Sequence, residues 1–216
     1  MRLLITGGCG FIGSNFVKLA LKKRSAVKQI VVIDSLTYAG DYENIRDGVE
    51  DHRKVKFANV DLKDERYVNT VFEKYGITDV MHFAAETHVD NSIDSPRVFL
   101  ESNVVGTFNL LEASKKYGVK RYHHISTDEV YGELSEKGKF SESTPYDPRN
   151  PYAASKASSD HMVRAFFHTY GLPVTLSNCS NNYGANQHKE KFIPVIINSI
   201  LDRKKIPVYG KGKNIR

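Results

Sequence analysis

Hydrophobic residues recur along the chain in short runs that alternate with longer stretches of helical spacing. The runs are 2–6, 29–34, 55–60, 79–85, 120–126 and 173–178, rich in Val, Ile and Leu. Crossovers between parallel strands are right-handed, so six strands alternating with helices predict a parallel sheet covered by helices on both faces. No internal repeat, low-complexity tract or long linker interrupts the pattern before Asn178. The pattern then changes to an Asn- and Gly-rich loop, "NCSNNYGANQHKEK", a helix candidate "IPVIINSILDRKK" and an extended run "IPVYGKG". The 38 residues from 179 to 216 fall short of the ~50 at which independent domains begin. The chain therefore divides into a first domain, 1–178, and the beginning of a smaller second one, 179–216.

With 216 residues, 40% hydrophobic and 26% charged, the chain is long enough to bury a sizeable core. No apolar run approaches the ~20 residues that cross a bilayer. The apolar start at Leu3 is broken by "TGGCG" before a signal-peptide pattern develops, so no membrane association and a cytoplasmic location are expected. Cys9 and Cys179 lie far apart and outside metal-ligand spacing, which predicts small buried thiols and no metal site. The net charge of +6 comes from basic clusters at 22–24, 115–121 and 203–205. These fall near predicted helix ends, where cations complement the helix dipole, so a nucleic-acid partner is not expected. The same excess suits a small anionic substrate.

The first predicted strand ends in "TGGCGFIGSNF", with Gly7, Gly10 and Gly13 spaced G-x-x-G-x-x-G and Gly8, Gly10 and Gly13 spaced G-x-G-x-x-G. So tight a turn lets backbone amides and a helix N-terminus approach a pyrophosphate. The motif follows a strand, opens a helix at Phe11 and is followed by Asp34 at the end of the second strand, the context of a dinucleotide site. A carboxylate there accepts both adenosine ribose hydroxyls and repels a 2′-phosphate, and no Arg follows it in "DSLTYAG". NAD is favoured over NADP. Asp61 and Leu62 close the third strand where an adenine could lie, a lone surface Asp being the alternative. Ala84 and Ala85 are small enough for a cofactor to lie against the fourth strand.

"PYAASK" sets Tyr152 and Lys156 one turn apart on a single helix face, with Pro151 as the first helical residue. A phenol with a reference pKa of about 10 needs roughly 4 kcal/mol of phenolate stabilisation to serve as a base near pH 7. A neighbouring ammonium and a positively charged nicotinamide supply it. On the preceding strand, "ISTDE" delivers a hydroxyl at Thr127 and adjacent carboxylates at Asp128 and Glu129.

Taken together, "TGGCGFIG", "DSLTYAG", "HFAAETHVDNSI", "STDEVYG", "NPYAASKASSD", "NCSNNYG", "EKFIP" and "VYGKGKNIR" resemble, in order and over the whole of Met1 to Arg216, an extended short-chain dehydrogenase/reductase. The closer resemblance is to the N-terminal portion of the dTDP-glucose 4,6-dehydratase family. It implies an α/β, Rossmann-type doubly wound parallel sheet carrying NAD and the catalytic residues, followed by the beginning of a smaller nucleotide-sugar-binding domain. It also implies a hydro-lyase cycle in deoxysugar biosynthesis that regenerates its own cofactor. Tyr152, with Lys156 and Thr127, takes the proton of the sugar 4-hydroxyl as hydride leaves C4. Glu129 removes the C5 proton, Asp128 protonates the departing 6-hydroxyl, and hydride is returned to C6. Two close carboxyl groups suit this division, since repulsion and desolvation leave one protonated and the other ionised.

By the same resemblance, Gly7, Gly10, Phe11, Ile12, Gly13, Asp34, Ser35, Leu36, Thr37, Asp61, Leu62, Phe83, Ala84, Ala85, Glu86, Ser102, Tyr152, Lys156 and Asn182 match cofactor-contact positions. Thr87, Thr127, Asn181, Lys191, Phe192, Pro207, Val208, Tyr209 and Arg216 match nucleotide-sugar positions, with Arg216 expected on the diphosphate. The chain departs from the family pattern at Thr87 for Ser, Asn91 for Arg and Ala185 for Pro. The last of these is expected to loosen the loop leading to Lys191.

Two other readings compete. A nucleotide-sugar 4-epimerase or decarboxylase of the same superfamily needs Tyr152 and Lys156 but has no elimination step for Asp128 and Glu129. A truncated, non-catalytic NAD-binding protein needs neither. The stretches Pro96 to Tyr117 and Tyr152 to Tyr170 carry long apolar faces, Val98, Phe99, Val105, Phe108 and Leu111 on one and Met162, Val163, Phe166 and Phe167 on the other. These pack on the sheet or, as the family implies, form a four-helix contact in a homodimer.

Overall fold

Successive residues of a strand point to opposite faces, and β1 (Arg2–Thr6) shows the consequence. Leu4 joins a core on one side of the sheet with Val31, Ile33 and Val80, while Leu3 and Ile5 join Ile30 and Val32 on the other. The computed structural model describes residues 1–22, 27–134, 138–208 and Gly212. Its sheet contains β1, β2 (Gln29–Asp34), β3 (Val55–Asn59), β4 (Asp79–His82), β5 (Arg121–Thr127) and β6 (Val174–Cys179), all parallel, in the order β3-β2-β1-β4-β5-β6. The fold is the expected Rossmann-like α/β sheet, and its direction reverses between β1 and β4. A crevice opens at the carboxyl ends of the strands at such a switch point.

Helices α1 (Phe11–Lys22) and α2 (Arg46–Glu50) cover the Leu3 face. The Leu4 face packs against α3 (Glu65–Tyr75), and against two later helices that carry Leu110, Leu111, Val163 and Phe166. Capping residues set the ends. Asp64 accepts the amides of Arg66 and Tyr67 at the start of α3, which stops at Gly76 with φ 58°. Where β5 pairs with β6, the side of the sheet away from this packing is open, and His123 is instead bonded to Thr175 and Ser177 on it.

Two expectations change. The fourth run was expected to stay extended to Ala85, but β4 ends at His82. Past that point the backbone leaves the ladder for side chains: Ala84 N–H donates to Thr6 Oγ1 (3.2 Å), and Glu86 N–H donates to Asn103 Oδ1 (2.8 Å). Asn103 Nδ2 closes the bracket by donating to the Glu86 carbonyl (3.0 Å). After α4 (Val89–Asp94), the single helix expected from Pro96 is built as α5 (Pro96–Phe99), a π-helical turn (Leu100–Val105) and α6 (Gly106–Lys116). The wider turn frees the Asn103 carbonyl, which accepts Thr107 Oγ1 (2.5 Å) and Ser159 Oγ (2.7 Å). Ser159 lies on α7 (Pro151–Tyr170), which begins as expected at Pro151, capped by Asn150. The last helix is α8 (Phe192–Leu201).

Asn103 thus satisfies a buried amide and carbonyl that no strand can reach. Replacing it with Ala should lower stability by about 3 kcal/mol, because a buried polar group left unpaired costs about 1–3 kcal/mol each. Urea unfolding of Asn103→Ala against the parent measures this.

Candidate active site

The first glycine turn is shaped partly by the protein itself. Gly7 has φ 65°, and a Cβ there would sit 2.6 Å from the Ala84 amide nitrogen. Gly13 is crowded by the Gly7 carbonyl. Gly10 differs, since a Cβ would meet only the Gly7 carbonyl oxygen at 3.4 Å. Its lack of a side chain therefore serves whatever occupies the cleft it lines. The amides of Phe11, Ile12 and Gly13 begin α1, where a helix leaves its donors without internal partners.

Asp34 ends β2 with its carboxylate oriented by two backbone donors, Cys9 N–H to Oδ2 and Leu36 N–H to Oδ1, both 2.9 Å. Burial raises its pKa, and the two amides oppose that rise. Leu36 has φ 52°, a left-handed conformation that directs its side chain into the core beneath α1. It positions Asp34 through its amide and is not among the residues lining the cleft.

At the other end, α7 brings Tyr152 and Lys156, both buried, beneath the carboxyl end of β5. Lys156 Nζ donates to the Ile125 carbonyl (2.9 Å) and lies 3.5 Å from His124 Nε2. Burial pulls the ammonium down from its ordinary range to about 8, with Asp160 pulling the other way. Thr127 Oγ1 accepts the Glu129 amide (3.2 Å) and lies 3.4 Å from Asp128 Oδ1. Glu129 lines the cleft and Asp128 is not among its lining residues.

One cleft of about 1080 Å³ joins these parts. The size lies at the upper end of the ~300–1,000 Å³ typical of small-ligand pockets. Of the residues expected from the sequence, Gly7, Gly10, Phe11, Ile12, Gly13, Asp34, Ser35, Thr37, Asp61, Leu62, Phe83 to Thr87 and Ser102 line it. So do Thr127, Glu129, Tyr152, Lys156, Asn181, Asn182, Lys191, Phe192, Pro207 and Val208. Tyr209 and Arg216 lie outside the described residues. No cluster of three metal-ligating side chains occurs among the described residues, and no helix among them is long and apolar enough to cross a membrane.

The loop before α8 is bonded to α1 at Ala185 and Asn186. Asn15 Nδ2 donates to the Ala185 carbonyl (2.8 Å), and Asn186 Nδ2 donates to Ser14 Oγ (3.0 Å). Lys191 Nζ donates to the Thr87 carbonyl (3.4 Å), linking two positions expected to hold the sugar nucleotide. His88, His188 and Glu190 also line this wall, with Glu190 Oε2 at 4.0 Å from His88 and 3.4 Å from His188. Sequence reasoning singled out none of them: His88 and Glu190 sit inside quoted motifs without a role of their own, and His188 lies outside every motif.

His82 opens the motif "HFAAETHVDNSI", but the sequence assigns it no role. Its ring is bonded to Thr6 Oγ1 (2.7 Å) and Thr107 Oγ1 (2.9 Å). Burial holds His82 and His124 neutral, well below the ordinary 6.5. In acid the unfolded chain takes up protons that these two rings refuse, so stability falls with pH, by up to ~1.4 kcal/mol per unit for each ring. Asp34, Glu86 and Asp160, raised by burial, oppose the trend as the carboxylate range is approached. Urea midpoints should drop between about pH 7 and pH 5.5, and His82→Gln should flatten that dependence.

Comparison with known proteins adds relatives to this geometry. The model of the GDP-mannose 4,6 dehydratase family matches residues 4–216. The chain is 50% identical over 218 residues to a dTDP-glucose 4,6-dehydratase of Mycobacterium tuberculosis, covering all of this chain and 64% of that protein. A Streptomyces venezuelae dTDP-glucose 4,6-dehydratase, solved with NAD and TYD bound, superposes with TM-score 0.94 at 45% identity over 99% of this chain and 66% of that one. A Thermus thermophilus UDP-glucose 4-epimerase, solved with NAD, is more distant, with TM-score 0.84 and 35% identity over 96% of this chain and 64% of that one. The chain thus spans about two thirds of the length of the proteins it matches.

Proposed function

The chain belongs to the GDP-mannose 4,6 dehydratase family, and from that membership we propose that it is the cofactor-binding and catalytic part of an NAD-dependent dTDP-glucose 4,6-dehydratase. The observation that carries the reading is the single cleft shared by Gly10, Asp34, Thr127, Glu129, Tyr152 and Lys156. When bound there, NAD would supply the hydride acceptor for C4 and the donor for C6 of the sugar. The first turn of α1 would hold its pyrophosphate, and the two amide-oriented oxygens of Asp34 would accept its adenosine ribose hydroxyls. Phe83 to Glu86, released from the sheet edge, form the wall beside the cofactor.

Tyr152 takes the proton of the 4-hydroxyl, with the Lys156 ammonium lowering the cost of the phenolate and Thr127 orienting the hydroxyl. Once C4 is a ketone, Glu129 removes the acidified C5 proton, and Asp128, beside Thr127, protonates the departing 6-hydroxyl. Asn181, Lys191, Phe192, Pro207 and Val208 would hold the nucleotide sugar, with Tyr209 and Arg216 beyond them. A 4-epimerase gives no role to a carboxylate at Glu129, which favours the dehydratase. The full-length protein should convert dTDP-glucose to a 4-keto-6-deoxy product without added reductant. Recovery of the 4-epimer alone would sink the reading, and NAD binding by calorimetry without sugar-nucleotide turnover would leave a cofactor-binding protein. Glu129→Gln should slow water loss by about 10²–10⁴-fold while sparing 4-oxidation, seen as accumulating reduced cofactor.

We also place residues 1–178 in a cofactor-binding domain and 179–216 in the start of a second one. None of the side chains of α8 is fully buried, and Phe192, Ile197, Ile200 and Leu201 stand exposed, so this helix has an apolar face still to be covered. The free thiols Cys9 and Cys179 suit the reducing cytoplasm. Within the monomer, the apolar faces of the long helices are divided: Phe99, Leu111, Val163 and Phe166 are buried, while Val98, Leu100, Val105, Phe108 and Phe167 are exposed. The exposed set is the seam of a two-fold dimer in our reading. Phe108→Asp should shift the sedimenting species from dimer to monomer; an unshifted dimer would exclude this face.

A further inference from the structure

Asp160 has no part in the chemistry proposed above, yet its side chain is wholly buried one turn beyond Lys156 on α7. Its Oδ2 accepts Ser126 Oγ (2.8 Å) from β5 and Tyr146 OH (2.9 Å) from the loop before α7, with Asn178 Nδ2 from β6 at 3.4 Å. Its Oδ1 has no hydrogen-bond partner among the described residues and lies 3.3 Å from His124 Nε2. That same nitrogen is 3.5 Å from Lys156 Nζ. The imidazole thus stands between a buried cation and a buried carboxylate, and three donors from three elements hold that carboxylate in place. Structural need alone would be met by an Asn, whose amide oxygen accepts the same donors, since buried charges are expensive to keep.

We propose that Asp160 is the positioning residue of Lys156, its carboxylate acting past the His124 imidazole to keep the ammonium charged and directed at the end of β5. The inference rests on the Tyr152–Lys156 pairing of the proposed function. The titratable groups around Asp160 and Lys156 are His82 from β4, His124 from β5, Tyr131 after it, Tyr146 from the loop and Cys179 from β6. Asp160 alone among them carries a negative charge when the phenols and thiol are neutral. Desolvation depresses the Lys156 ammonium, and Asp160 is the first opposing influence. Without it, Lys156 loses its proton near neutrality, the Tyr152 phenolate loses its cation, and proton transfer from substrate moves to higher pH.

Nitrogen-15 NMR of the lysine side chains of the 216-residue chain tests this directly, with Lys156→Met to assign the signal. In Asp160→Asn the Lys156 titration should fall by about one pH unit or more, and Asp160→Glu should restore it toward the parent. An unmoved titration in Asp160→Asn overturns the proposal. If that variant does not fold, the Asp160 carboxyl carbon of the parent is read instead: it must be ionised at neutral pH and through the titration of Lys156, and a protonated Asp160 at neutral pH overturns the proposal. In the full-length protein the acidic limb of the turnover profile should move up by a similar amount in Asp160→Asn, with kcat reduced more than KM is raised. A parent that does not turn over dTDP-glucose removes the dehydratase reading and leaves the NMR outcome standing on its own.

Discussion

A buried ammonium needs fixed dipoles around it, and the carboxyl edge of this sheet is organised around that requirement. Lys156 cannot shed its charge to water, so it takes the Ile125 carbonyl at the end of β5 and lies against His124. His124 stacks at an angle on His82, with ring centroids 5.1 Å apart, and His82 binds Thr6 on β1 and Thr107 on α6. Thr6 in turn receives the Ala84 amide and so turns the chain out of β4. Lys156, the strand before the glycine turn and the Phe83–Glu86 wall of the cleft are therefore parts of one desolvated polar seam. Its geometry is rigid because each buried donor or acceptor lost from it carries a desolvation penalty.

β1 and β2 were legible as apolar runs because strands buried on both faces admit few polar residues. The glycine turn and Tyr152–Lys156 were legible because their chemistry demands fixed spacing in sequence. What was not legible depends on contacts between distant positions. The early end of β4 at His82 follows from Asn103, 21 residues later, offering better partners than the next strand does. Asp160 reads in sequence as an ordinary helix-surface acid at i+4 from a lysine. Only the arrival of Ser126, Tyr146 and Asn178 buries it. Leu36 matches a cofactor position by motif, yet its left-handed backbone turns the side chain inward and leaves its amide to orient Asp34.

In the basic cluster at 115–121, Lys115 pairs with Glu112 and lies 4.3 Å from the Tyr170 ring centroid, and Lys116 reaches Asn69, both in the last turn of α6. Exposed apolar surface falls on two separate faces: Val98, Leu100, Val105 and Phe108 on α5, the π-helical turn and α6, and Phe192, Ile193, Ile197, Ile200 and Leu201 along one side of α8. Each is an apolar helix face left exposed beside a buried opposite face or a polar one.

The seam also constrains how the site can be tuned. An apolar replacement for any one of Lys156, His124 or Asp160 would leave its neighbours desolvated and unpaired, and replacing all three would still strand the Ser126, Tyr146 and Asn178 donors and the Ile125 carbonyl. A carboxylate held by three donors, a neutral imidazole and an ammonium depressed to about 8 therefore hold one another in place, and on the reading proposed above they keep a cation where burial alone disfavours one.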